Sequence, residues 1–175
     1  MKRCDALVSA GRRAFFARAG ATTAAAAAAV LPSTAGRAQS DLARLDYPAS
    51  RLGNLKDLKV NEPKDVFYPD ADSPGVLLKL GVRVDGGIGP DGDIVAFSTL
   101  CPHKGFPLAF RADDRSLNCP GHYSRFDCEK GGLQIMGQAT QNLPQFRLRV
   151  DQNGDIFAVG VDELIYGRLS NVLKG

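Results

Sequence analysis

Two short stretches, Cys101-Pro102-His103-Lys104-Gly105 and Cys119-Pro120-Gly121-His122-Tyr123-Ser124, contain both histidines of the 175-residue chain and two of its four cysteines. Fifteen residues separate His103 from Cys119, so the pattern is Cys-x-His followed by Cys-x-x-His. Each stretch places one thiol and one imidazole at a spacing that lets both reach a single site. Gly105, Pro107, Pro120 and Gly121 suit tight loops that bring backbone close to a bound group. One such stretch alone reads as a buried thiol beside a core histidine. Two matched stretches that use every histidine point to metal. Zinc takes two Cys and two His, but zinc fingers pair Cys with Cys and His with His, whereas each stretch here supplies one of each. The mixed pairing favours a [2Fe–2S] centre with two thiolates on one iron and two imidazoles on the other; structural zinc is the alternative.

The flanking sequence reads as strands and turns. Residues 76–80 and 82–84 are strand-like, and Gly86, Gly87 and Gly89-Pro90 break them. Asp91-Gly92 is a turn pair, and residues 94–98 read as the return strand. Beyond the second stretch, Phe146, Leu148 and Val150 alternate with Arg147, Arg149 and Asp151. Asn153-Gly154 then predicts a type I′ turn into a strand over residues 156–161. Residues 39–74 show no clean period and predict extended segments over the surface of a core. Only residues 162–172 hint at a helical period. The expected class is mostly β, built from short antiparallel strands, with no repeat of 20–50 residues.

The front of the chain reads as an address. Arg12-Arg13-Ala14-Phe15-Phe16 precedes an alanine-rich run over residues 19–31, and Leu31-Pro32 and a series of small residues follow. This order resembles a twin-arginine export signal at residues 1–38. The run is too short and too weakly apolar for a spanning helix. Six basic side chains and one acid in residues 1–38 account for +5 charges, so residues 39–175 carry −2 of the net +3. A slightly acidic body removes the electrostatic basis for nucleic-acid binding. The globular composition, 44% hydrophobic and 23% charged, suits one domain over residues 39–175.

The two stretches resemble the cluster loops of Rieske iron–sulfur proteins, and the resemblance covers about residues 75–161. It implies a β-sheet sandwich with a cluster-binding subdomain, about residues 99–145, formed by two loops. It also implies one [2Fe–2S] cluster held by Cys101, His103, Cys119 and His122. Residues 118–127 and 132–145 are similar to the arsenite oxidase small-subunit family. That likeness implies an electron-transfer subunit paired as a heterodimer with a molybdopterin-containing large subunit. It further implies a periplasmic location and a soluble cytochrome c or cupredoxin-type acceptor. Membrane contact would come at most through an uncleaved signal. A Rieske subunit of a quinol-oxidising respiratory complex is the alternative, though it calls for a lasting anchor. No catalytic residue is expected on this chain, because no histidine is left for a second metal.

The sequence departs from the common Rieske pattern where many members carry a second Cys in each loop. Phe106 and Gly121 occupy those positions here. Cys4 lies in the signal and only Cys128 remains, so no intrachain disulfide is expected. We expect the Phe106 ring to lie across Gly121 and lock the loops in place of a disulfide. Ser124 stands where Rieske proteins place a hydroxyl donor to a cluster sulfur, whereas Phe126 occupies a second donor position without a hydroxyl. Lys104, Arg125 and Lys130 read as a solvated rim, Asp113-Asp114 as a polar turn, and Cys128 and Met136 as packing.

Overall fold

Strands dominate the computed structural model, which describes residues 46–172; the stretch 1–38 read as an export signal lies outside the described residues. The strands are β1 (Ser50–Asn54), β2 (Lys64–Phe67), β3 (Pro74–Lys79), β4 (Ile94–Ser98) and β5 (Ala109–Arg111). They continue with β6 (Ser116–Asn118), β7 (Arg125–Asp127), β8 (Leu133–Met136), β9 (Phe146–Val150) and β10 (Asp155–Val161). All pairing between them is antiparallel, in sheets ordered β1-β10-β9, β2-β3-β4 and β5-β6-β7-β8. The only helical elements among the described residues are 3-10 turns at Leu55–Asp57 and Cys128–Lys130.

The middle sheet explains why residues 76–78 and 94–97, within the two stretches read as strand, are unbroken apolar runs. Side chains alternate between the faces of a strand, and here both faces are covered. Leu77, Ile94 and Ala96 pack against Leu52, Phe146, Ile156 and Ala158 of the β1-β10-β9 sheet. Val76, Leu78, Val95 and Phe97 pack on the other side against Leu117, Phe126, Cys128 and Leu143. This second core ties the β5-β6-β7-β8 sheet, which carries the two Cys/His loops at its ends, to the rest of the domain.

Four expectations are corrected. Residues 82–84 form no strand: Gly81 turns at φ 72°, the buried Asp93 carboxylate accepts its N–H at 3.1 Å, and Val84 bonds back to Gly92 O at 2.9 Å. The β9–β10 turn is not type I′, because only Gly154 is left-handed, at φ 79°. Instead Asp151 closes it, its carboxylate accepting the N–H groups of Asn153 and Asp155, both at 2.9 Å. Residues 39–74 contribute more than a cover, since β1 and β2 are edge strands with Leu52, Val66 and the adjacent Tyr68 buried. Residues 162–172 form turns and bends. There the Asn171 side chain accepts the Ile165 N–H at 2.8 Å and donates to Glu163 O at 2.7 Å, replacing a helical ladder.

This last segment is pinned to the turn after β2. Arg168 donates to both carboxylate oxygens of Asp70, at 2.7 Å each. That hydrogen-bonded guanidinium holds the Asp70 carboxyl below the usual carboxylate range. The pair therefore stabilises the fold fully above that range, and its contribution is lost as pH falls through the lowered Asp70 value. Thermal melts across acid pH should show Asp70→Asn less stable than the parent at neutral pH by about 1 kcal/mol, the scale of a partly exposed pair. The difference should vanish at the acid end of the series.

Candidate metal centre

The two Cys/His loops share one backbone design. In the first, Cys101 N–H bonds to Phe106 O at 2.9 Å and Gly105 N–H bonds back to Cys101 O at 2.8 Å. In the second, Cys119 N–H bonds to Ser124 O at 2.8 Å and Tyr123 N–H bonds back to Cys119 O at 3.1 Å. Each loop closes by a left-handed fifth residue, Gly105 at φ 69° and Tyr123 at φ 60°. Left-handed backbone suits glycine, and a bulky residue there is strained, so Tyr123 holds its place against its own preference. His103 is third in its loop and His122 fourth in its own, and the sheet holds the loops so that these unequal positions meet.

The four predicted ligand residues come together two and two. Cys101 and Cys119 are buried, and close enough that the Cys119 sulfur bears on the Cys101 thiol. Burial pushes the Cys101 thiol up and the neighbouring sulfur adds to it, opposed by the backbone N–H groups of His103 and Lys104. The imidazole rings of His103 and His122 meet edge to face, 4.8 Å between centroids and 74° between planes. His103 Nδ1 is buried without a hydrogen-bond partner. Paired buried sulfurs and an orphaned imidazole nitrogen are what a positive group between the loops would satisfy. The division into a sulfur pair and a nitrogen pair suits two irons. A single tetrahedral ion needs its donors around one point, and among the described residues no three His, Cys, Asp or Glu side chains are so grouped.

Ser124 is fully buried, and its oxygen is held by a third loop. Ser124 Oγ accepts the N–H groups of Gln138 and Ala139, both at 3.0 Å. Its own hydrogen is then free to be donated elsewhere. The third loop comes this close because residue 137 is glycine: a Cβ there would lie 2.3 Å from Ser124 Cα. Sequence reasoning missed Gly137. The glycine following β8 was the available signal, but nothing in the sequence showed which residue it approaches.

The expected ring-on-glycine contact is present. A Cβ on Gly121 would stand 3.0 Å from Phe106 Cγ and Cδ2, so the ring lies across that backbone. The same ring meets His122 edge-on, at 5.9 Å and 89°. Its outer part stays in solvent, with 43% of the residue exposed. Cys101, Cys119 and Cys128 are all free. Cys128 is buried, and burial pushes its thiol up to about 12, which makes it an unreactive packing residue. Lys104 is exposed, Lys130 pairs with Asp127 at 3.3 Å, and Arg125 pairs with Asp114. Met136 departs from the packing expected of it: it is half exposed and, with Tyr123 and Pro120, lines a recess of about 370 Å³ beside Cys119.

The fold and the paired donors define a class, and comparison with known proteins agrees. The family model of the Rieske [2Fe-2S] domain matches residues 50–147, and the chain belongs to this family. The cofactor of this domain is a [2Fe–2S] cluster. The chain is 44% identical over 163 residues to iodate reductase subunit IdrB of Denitromonas iodatirespirans, covering 91% of this chain and 85% of that protein. It is 43% identical over 159 residues to the same subunit of Pseudomonas sp. strain SCT, covering 89% and 81%. The cytochrome bc1 Rieske subunit of Corynebacterium glutamicum is 37% identical, but over 39% of this chain and 17% of that one. Among solved structures, the soluble domain of Rieske protein II from Sulfolobus acidocaldarius superposes with a TM-score of 0.60 at 25% identity, covering 66% of this chain and 78% of that one.

The exposure of Phe106 sets the size of its role. A fully buried aromatic truncated to Ala costs about 3–5 kcal/mol; a half-covered ring should cost about 1–2 kcal/mol. Phe106→Ala should therefore lose its cluster absorbance at a lower temperature than the parent. Unchanged retention on heating would remove the ring from the lock.

Proposed function

We propose that Cys101 and Cys119 hold one iron and His103 and His122 the other, and that the chain is the electron-transfer subunit of a periplasmic molybdopterin oxidoreductase acting on an oxyanion. The observation that carries the ligand assignment is the approach of two buried cysteines in the loops whose two imidazoles meet edge to face. The cluster supplies one-electron transfer when bound. The chain supplies two loops of matched geometry, a low-polarity seat for the sulfurs, and a protein edge for electron passage at His122, whose side of the site is exposed. No substrate chemistry is assigned to this chain; that belongs to the large subunit.

Two oxyanion reactions compete, and they run electrons in opposite directions. Likeness to iodate reductase subunits over most of the chain supports iodate reduction, with electrons passing toward the large subunit. The similarity of residues 118–127 and 132–145 to arsenite oxidase small subunits supports arsenite oxidation, with electrons leaving to a soluble cytochrome c or cupredoxin-type carrier. The Arg12-Arg13 stretch supports export by the twin-arginine route. Native purification from the periplasmic fraction should bring down a molybdopterin protein. Turnover of iodate with a reduced carrier, or of arsenite with an oxidised one, decides between the reactions. A chain that purifies with a membrane quinol oxidase instead would overturn the reading.

Ser124 is the residue that tunes this relay. With two N–H groups donated to its oxygen, its hydroxyl is set to donate to a cluster sulfur, and such a bond favours the reduced, more negative state. Ser124→Ala should lower the reduction potential by about 60 mV, the equivalent of a ~1.4 kcal/mol hydrogen bond on a one-electron couple. Redox titration reads this directly, and an unmoved potential would take Ser124 out of the site.

A further inference from the structure

We propose that Tyr166 is a positioning residue for the first cluster loop. The segment over residues 162–172 thus acts as a strap that braces that loop against the rest of the domain. The proposal rests on the reading that this loop holds the cluster through Cys101 and His103.

The contact itself is close. Gly105 closes the first loop in a left-handed conformation, φ 69°, and a Cβ there would stand 2.4 Å from Tyr166 Cε1 and 2.6 Å from Cδ1. The tyrosine ring thus occupies the space that any side chain at position 105 would need. The corresponding residue of the second loop, Tyr123, keeps its own side chain and points it largely to solvent, at 74% exposed. The two loops, alike in backbone, are therefore held differently. The second is gripped from within the subdomain, through Ser124 and the third loop. The first borrows a ring from the far end of the chain.

The strap is well anchored on both sides of that ring. Ile165 is 1% exposed, seated in the core between the β1-β10-β9 and β2-β3-β4 sheets. Asn171, also buried, accepts from Ile165 N–H and donates to Glu163 O, and it reaches the Tyr47 hydroxyl at 3.1 Å. The two-pronged Arg168–Asp70 pair fixes the next turn. Gln141, just beyond the third loop, donates to Leu164 O at 3.5 Å. A side chain carried on so fixed a backbone loses little freedom when it packs. It can therefore hold Gly105, and through Gly105 the neighbouring His103, in one position. With every described cysteine free, this brace and the Phe106–Gly121 contact are non-covalent substitutes for a staple, acting on different borders of the same loop.

The test compares Tyr166→Ala, which removes the ring, with Tyr166→Phe, which keeps it. The readouts are cluster half-life under chelator at raised temperature, the reduced-state electron paramagnetic resonance spectrum, and the far-ultraviolet melt. We expect Tyr166→Ala to lose its cluster several-fold faster and to show shifted g-values at a temperature where the sheets stay folded, with Tyr166→Phe like the parent. If Tyr166→Ala does not fold, Arg168→Ala, which loosens the strap without touching the loop, should shift the same spectrum. Equal half-lives and spectra in parent and Tyr166→Ala would overturn the proposal. So would a Tyr166→Phe as impaired as Tyr166→Ala, since the ring is then not what matters. Faster loss with unshifted g-values and a lowered melt would reduce Tyr166 to general stability and also overturn it. A parent protein with no Rieske-type signal would overturn the ligand reading itself, and this proposal with it.

Discussion

Two cysteine thiols, those of Cys101 and Cys119, are buried close to each other, and neither has water to disperse a charge. Alone, the Cys101 thiol favours its protonated form: burial pushes it up, and the neighbouring sulfur pushes it further. A metal reverses that preference, because a coordinated thiol gives up its proton. The site is therefore a folded arrangement whose most unfavourable feature becomes favourable on loading. The rest of the structure serves to keep the two sulfurs, and the imidazoles beside them, from drifting apart when nothing yet binds them.

How the chain manages this without a covalent staple follows from where each kind of restraint acts. A disulfide acts mainly by restricting the unfolded chain. A ring laid across a glycine acts only once the fold is formed, and it needs neighbours already in place. Phe106 over Gly121 joins loop to loop. Gly137 lets backbone N–H groups reach Ser124 and so joins the second loop to the third. Such contacts need no oxidant.

The legible parts of the sequence were those whose chemistry is local. The Cys-x-His and Cys-x-x-His spacings, the strand read at residues 76–80 and the alternation at 146–150 each depend on neighbours along the chain, and the structure has two matched loops, a strand over Pro74–Lys79 and a strand over Phe146–Val150. The Phe106–Gly121 contact was legible for another reason: both residues fill positions where a bond was expected, so their complementary sizes could be compared. What stayed hidden depends on distant partners. The bulge at Leu52 and the short length of β1 and β2 obscured their period, and only pairing with β10 and β3 makes them strands. The Asn153-Gly154 turn was misread because the Asp151 carboxylate competes for its N–H groups. The helical hint at residues 162–172 failed for the same kind of reason, with Asn171 and the Arg168–Asp70 pair supplying the bonds a helix would have made. Even the likeness of the two loops is masked by their second halves, since Gly105 and Tyr123 share a conformation that their types do not share.

The unequal burial of the two imidazoles gives the site a direction. His103 is partly covered, with its Nδ1 sealed from solvent, whereas His122 is exposed beside Tyr123 and the rim of Phe106. A centre held as proposed, with Cys101, Cys119, His103 and His122 taking its protein positions, leaves no open coordination place for a substrate, unlike catalytic metal sites. What such a centre offers its surroundings is an edge. The covered side ties it to the sheets, and the bare side presents an aromatic and imidazole surface to whatever approaches. A loop pair braced from behind and open in front suits a carrier that meets a partner without changing its own shape. In this chain the bracing is supplied by side chains packed on glycine backbone.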